Sequence, residues 1–125
     1  GTVNKIVTKT LNLMQEKFGT NPKNILAGIG PAIGPCCYNI GGEVAIQFES
    51  NFPTSKNILT RDTHNKTIKL NLKEANKILM LEEGIPEKNI EISDFCTSCR
   101  HDLFFSHRYD KGKTGRFGAG IMMKQ

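Results

Sequence analysis

The sequence has no apolar run approaching the ~18 residues of a membrane-spanning helix. No basic-then-apolar leader opens it, so neither a membrane nor a secretory route is expected. Low-complexity and strongly acidic stretches are also missing, which excludes a disordered tail. There is no RNP-like array of aromatics, no zinc-finger spacing and no helix-turn-helix cue, so nucleic acid is not an expected partner. No carboxylate pair at convincing acid–base spacing is present either: Glu43, Asp62, Glu74, Asp94, Asp102 and Asp110 are scattered. An initiating methionine is absent as well. The chain starts at Gly1 and is soon in a helical pattern, so the reading expects a processed chain or the downstream part of a longer one.

The 125 residues suit one domain, residues 1–125, able to bury roughly two-thirds of the unfolded surface in a real core. Hydrophobics make up 38% and charged residues 23%. Seventeen Lys and Arg against twelve Asp and Glu give +5, a field that favours anionic ligands without identifying one.

Val3, Ile6, Val7, Leu11, Met14 and Phe18 share one helical face, which predicts an amphipathic helix over 3–18 with Thr2 as N-cap and Gly19 as stop. Residues 25–29 read as a short buried strand leading into a Gly/Pro loop over 30–38. Val44, Phe48 and Phe52 predict a second helix over 42–52, followed by a polar loop to about Lys66. Thr67–Leu70 alternates and carries a lysine, as an edge strand would. Leu72, Ala75, Ile78 and Leu79 mark a third helix ending near Gly84, and Ile90–Ile92 a strand. Leu103–Arg108 and Phe117–Met123 read as a closing hairpin around residues 110–115. The fold class is therefore α/β to α+β, with three helices packed on a mixed sheet and a C-terminal β-hairpin. An internal echo adds to this. Residues 18–25 and 84–90 both run from a glycine stop through a proline turn to Lys-Asn-Ile and a strand, and a cysteine pair follows each strand. Two connections built alike place both strands with like polarity, side by side.

Four cysteines stand at 36, 37, 96 and 99. Adjacent Cys36 and Cys37 cannot bond to each other without strain, and ordinary thiols in a reducing cytoplasm are the expectation. Cys96-x-x-Cys99 has the spacing of half a zinc site or of a redox pair, whereas Cys36–Cys37 does not. The loop Gly28-Ile29-Gly30-Pro31-Ala32-Ile33-Gly34-Pro35 fails the dinucleotide fingerprint, because Ile33 stands where the third glycine belongs. Gly112-Lys113-Thr114 fails the phosphate-loop pattern, because His107 replaces the upstream glycine. What remains is a cationic segment of Arg108, Lys111, Lys113 and Arg116 with His107 and Tyr109 beside it. It suits either a solvated tip or an anion site.

Three segments together resemble a known family. They are Leu26 to Tyr38, then Cys96-Thr97-Ser98-Cys99, then Phe104 to Asp110 with Thr114-Gly115-Arg116. In order and spacing they are similar to the laccase-domain, or YfiH-like, family. This family was first labelled multicopper polyphenol oxidoreductase and is now regarded as purine nucleoside phosphorylases and adenosine deaminases with bound zinc. The resemblance implies a YfiH-like layered fold lacking its N-terminal part. It further implies that the chain is the C-terminal portion of an enzyme cleaving adenosine, inosine or guanosine with phosphate. Gly1-Thr2 resembles the tail of the family's His-Ala-Gly-Trp-[Arg/Lys]-Gly-Thr segment. The zinc or copper ligands, two histidines and a cysteine, would then lie upstream of Gly1, and the four cysteines here are not assigned to that metal. On this reading Arg108, Arg116 and His107 serve catalysis, Gly30, Pro31, Phe104 and Tyr109 bind substrate, and the chain alone turns over little. A polyphenol oxidoreductase and a non-catalytic binding module are the alternatives. Partners are a purine nucleoside and phosphate, with an oligomer or a missing N-terminal half as the expected macromolecular context.

Overall fold

The computed structural model describes residues 1–53 and 56–124. Helix α1 spans Ile6–Phe18, β1 Ala27–Ile29, β2 Asn39–Ile40, α2 Gly42–Asn51, β3 Leu59–Asp62, β4 Thr67–Leu70, α3 Leu72–Glu82 and β5 Ile90–Ile92. No helix among the described residues is long and apolar enough to cross a membrane.

The three helices pack on two small sheets. In one, β1 and β5 pair in parallel, with Ala27 opposite Ile90 and Ile29 opposite Ile92. Each strand follows a single 3-10 turn, Pro22–Asn24 before β1 and Glu87–Asn89 before β5. The repeated connection in the sequence therefore does place two like-directed strands side by side. In the other sheet, β2 and β3 flank β4 in antiparallel order β2-β4-β3. Thr67–Leu70 is thus the central strand, not an edge. Lys69 is tolerated there because it is only half-buried, while Leu70 at the strand's end is fully buried.

The core lies between this antiparallel sheet and helices α2 and α3: Phe48, Phe52, Ile58, Leu70, Ala75 and Leu79. Phe48 and Phe52 sit one helical turn apart with rings stacked at 5.7 Å. Asn71 caps α3, its side-chain oxygen accepting the Glu74 N–H at 3.1 Å. Helix α1 starts three residues later than its periodicity suggests. Lys5 is left-handed (φ 54°), and Thr2 does not cap the helix; its hydroxyl accepts from Asn76 Nδ2 at 3.2 Å. The turn at residues 2–5 sets Val3 against the core beside Val7. Gly19 does stop the helix, at φ 62°. The apolar face of α1 is incompletely covered, with Leu11 buried but Phe18 82% exposed.

The expected C-terminal hairpin does not form. Residues 106–113 coil through successive turns, in which Ser106 O accepts from Asp110 N and His107 O from Gly112 N. Lys111 (φ 52°) and Gly112 (φ 84°) bend the chain in the left-handed region. The two arms meet through rings instead of a ladder, Phe104 against Phe117 at 5.6 Å. Residues 119–121 then run beside β1 and β5.

Candidate functional site

The parallel pair β1/β5 aims two loops in the same direction. Ser93 N donates to Ile29 O at 2.8 Å, and further along Thr97 N donates to Ala32 O at 3.1 Å. An isolated parallel bridge joins Ala32 to Cys96. Residues 30–38 and 93–100 are therefore held edge to edge at the carboxyl ends of the strands, where open α/β sheets place their ligand crevices. Lys73, at the start of α3, secures the second loop. It is only 9% exposed, and its Nζ donates to Ser93 O and Phe95 O, each at 2.6 Å.

Between the loops and the coiled segment 105–108 lies a cleft of about 340 Å³. Pro31, Ile33 and Tyr38 line one wall, and Thr97, Phe105, His107, Arg108 and Phe117 the other. Arg108 is exposed but oriented. Its Nη1 donates to Asn39 O at 2.9 Å, and its guanidinium sits 5.0 Å from the Tyr38 ring centroid. One N–H is thereby occupied and the others remain as a fork for an oxyanion. Phe105 leans over Gly115, where an added Cβ would stand 2.8 Å from Phe105 Cζ, so only glycine leaves the ring where it is.

The residues singled out in the sequence distribute unevenly. Pro31, His107 and Arg108 meet in this cleft. Gly30 faces a second hollow of about 460 Å³ between β1, β5 and residues 119–121. Phe104 lines a third hollow with His101 and Phe117. Tyr109 is stacked on His101 with ring centroids 3.6 Å apart, which leaves that face closed to a base. Arg116 lines none of these three hollows. The cleft adds Tyr38, Phe105, Thr97 and Phe117, which the sequence reading did not select. Phe105 belongs to the segment Phe104 to Asp110, and it is this ring, not its neighbour Phe104, that reaches the cleft.

The four cysteines converge. The sulfurs of Cys36, Cys37, Cys96 and Cys99 all lie within 4.8 Å of one another. Cys99 Sγ is 3.5 Å from Cys36 Sγ and 3.4 Å from Cys37 Sγ. Partial burial of Cys96 opposes its ionisation, but N–H groups of Cys99, Gly34 and Ser98 point at its sulfur and outweigh that, bringing it down to about 6. Cys99, whose thiol is hydrogen-bonded among the sulfurs of Cys37, Cys36 and Cys96, is pushed up to about 12.

A family described as multi-copper polyphenol oxidoreductase laccase matches residues 1–124. The chain belongs to this family. Among its laccase-family relatives, purine nucleoside phosphorylase YlmD of Geobacillus stearothermophilus is 40% identical over 121 residues, covering 97% of this chain and 44% of the relative. The crystal structure of that YlmD aligns with a TM-score of 0.83 and 41% identity over 92% of this chain and 43% of its own. The structure of the Bacillus licheniformis hypothetical protein YfiH aligns with a TM-score of 0.81 at 38% identity, over 92% and 43% of the two chains. Adenosine deaminase RL5, from an unknown prokaryotic organism, is 31% identical over 124 residues, or 99% of this chain and 47% of that one. The chain thus spans a little under half the length of these relatives. The family resemblance and the three-helix, mixed-sheet architecture both hold.

Membership in this family implies metal binding. Among the described residues, the group of three or more His, Cys, Asp or Glu side chains close enough to share an ion is the cysteine cluster. The histidines go elsewhere. His101 stacks on Tyr109, and His107 packs over Gly112. A set of two histidines and one cysteine is not assembled from these residues, and an all-sulfur donor set differs from the imidazole-rich surroundings that suit copper(II).

Proposed function

We propose that this chain forms one wall of the nucleoside and phosphate pocket of a purine nucleoside phosphorylase. The carrying observation is the cleft in which Arg108, held by Asn39 O and Tyr38, stands beside Phe105, Phe117 and His107. Phosphorolysis needs an oriented phosphate, an environment for a ribosyl centre that gains positive charge, and help for the departing purine. The free N–H groups of Arg108 suit phosphate oxygens, and Phe105 and Phe117 offer faces for a purine. In the step itself a phosphate oxygen bonds to C1′, the N-glycosidic bond breaks, and the purine leaves with a proton. His107 is the group lining the cleft that is placed to hand over that proton. Arg116 lies close in sequence and is the second candidate for the anion. Relatives named purine nucleoside phosphorylase and adenosine deaminase support this class of substrate.

Incubating the protein that carries these residues with inosine or adenosine and inorganic phosphate should release free base and ribose 1-phosphate without dioxygen uptake. Arg108→Ala should lower kcat/KM by roughly a hundredfold, about 2.7 kcal/mol of transition-state stabilisation, with little change in Tm. Dioxygen consumption with a phenol and no base release would instead establish the oxidoreductase reading. Residues 1–125 on their own are expected to turn over little, because no set of two histidines and one cysteine assembles among the described residues.

A further inference from the structure

We propose that Cys36, Cys37, Cys96 and Cys99 bind one zinc ion as four thiolates, clipping the loop after β1 to the loop after β5. The geometry is the first reason. Four sulfurs within 4.8 Å of one another, two pairs at 3.4 and 3.5 Å, approach a tetrahedral ZnS4 set, in which Zn–S bonds of ~2.3 Å place sulfurs ~3.8 Å apart. A disulfide would require two of them at ~2.05 Å and would leave the other two without a purpose at the same point.

The local backbone is the second reason. Adjacent cysteines in an extended strand point to opposite faces. Here residues 34–38 form a turn, with Gly34 O accepting from both Cys37 N and Tyr38 N at 3.1 Å. That turn brings both neighbouring thiols to the same centre. Across from it, Cys96-Thr97-Ser98-Cys99 closes with Arg100 N on Cys96 O at 2.9 Å, and the Gly34 N–H reaches Cys96 Sγ at 3.1 Å. Position 34 is as constrained as the ligands. A Cβ there would lie 3.2 Å from Cys36 Sγ and 3.3 Å from Cys96 Cβ.

Charge is the third reason. Four thiolates within 4.8 Å of one another repel, so without a cation the group resists ionising together. A dication removes that resistance, and binding releases the remaining thiol protons to solvent. All-sulfur coordination selects zinc over magnesium or calcium. Four protein ligands leave no open position, so the ion is structural and holds the two walls of the cleft together.

The test uses the 125-residue chain, purified under reducing, oxygen-free conditions. About one zinc per chain by elemental analysis is expected. Cobalt(II) in its place should give thiolate-to-metal charge transfer and the intense visible bands of a tetrahedral site. Four thiols should be shielded from a disulfide reagent until a chelator is added. Cys36→Ser and Cys99→Ser should lose the zinc, while His107→Ala keeps it. The wild-type readouts decide even if a serine variant fails to fold. A natively folded chain without metal and with four freely reacting thiols overturns the proposal. So does a mass lower by two hydrogens, marking a disulfide, or zinc retained in the Cys36→Ser/Cys99→Ser double variant. Iron in place of zinc overturns the choice of ion.

Discussion

Lys73→Met isolates the contact that fixes the second loop. The substitution keeps a stem of similar length in the buried channel but removes both hydrogen bonds from Nζ, at 2.6 Å to Ser93 O and 2.6 Å to Phe95 O. Each is a bond to a charged donor, worth about 1.5–3 kcal/mol, and both carbonyls lose that donor. Desolvating the ammonium offsets part of this, because Lys73 is 9% exposed and a methionine there has no such penalty. The expected net loss is about 3 kcal/mol. For a chain of this size that lowers Tm by roughly 10 °C, readable by calorimetry or circular dichroism. The damage should also be directional. Phe95 directly precedes Cys96, so thiol reactivity at Cys96 and Cys99 should rise well before the core around Leu79 opens, as followed by hydrogen exchange. A Tm change under about 2 °C would refute the reasoning, because surface substitutions without structural consequence stay within ~0.5 kcal/mol. Uniform loosening of α2 and α3 together with the loop would refute the directional part.

Two smaller perturbations probe other elements. Gly115→Ala forces the Phe105 ring to swing away from a Cβ otherwise 2.8 Å from Cζ. Because Phe105 is exposed, Tm should fall by no more than a few degrees while KM for a nucleoside rises several-fold; a collapse in Tm with unchanged KM would contradict this. Asp62 accepts N–H groups from Asn65 and His64, which hold its carboxyl below its ordinary 3.8. A lowered folded value means the turn's contribution is present above pH 3.8 and is lost as pH falls through the folded value, so an NMR titration midpoint at or above 3.8 would rule it out.

Much of this was legible in the sequence, and the failures share a cause. Helices α2 and α3 follow directly from apolar periodicity, because each buries one face against a sheet. The β1/β5 pair was legible from its repeated turn chemistry, since Gly, Pro and Asn fix the backbone leading into a strand whatever lies beyond. Strand β3 was not, because past Leu59 its side chains are exposed and leave no alternation to read. Strand β2 is two residues long. The C-terminal hairpin was inferred from apolar alternation that in fact serves ring packing between Phe104 and Phe117. Spacing along the chain argues against Cys36 and Cys37 facing one centre, yet the turn at Gly34 brings both thiols into one cluster with Cys96 and Cys99, a convergence that no linear pattern reveals. In the cleft, Arg108 and His107 were identifiable as residue types suited to anions, while the choice of Phe105 over Phe104 depends on which ring passes over Gly115.

The register of β1 on β5 pairs Ala27 with Ile90. Everything between them must be synthesised before either strand has its neighbour. Such a long-range closure is slow, and until it happens the early thiols at 36 and 37 have no distant counterparts. The sulfur cluster closes only once a segment 63 positions beyond Cys36 has arrived to face it.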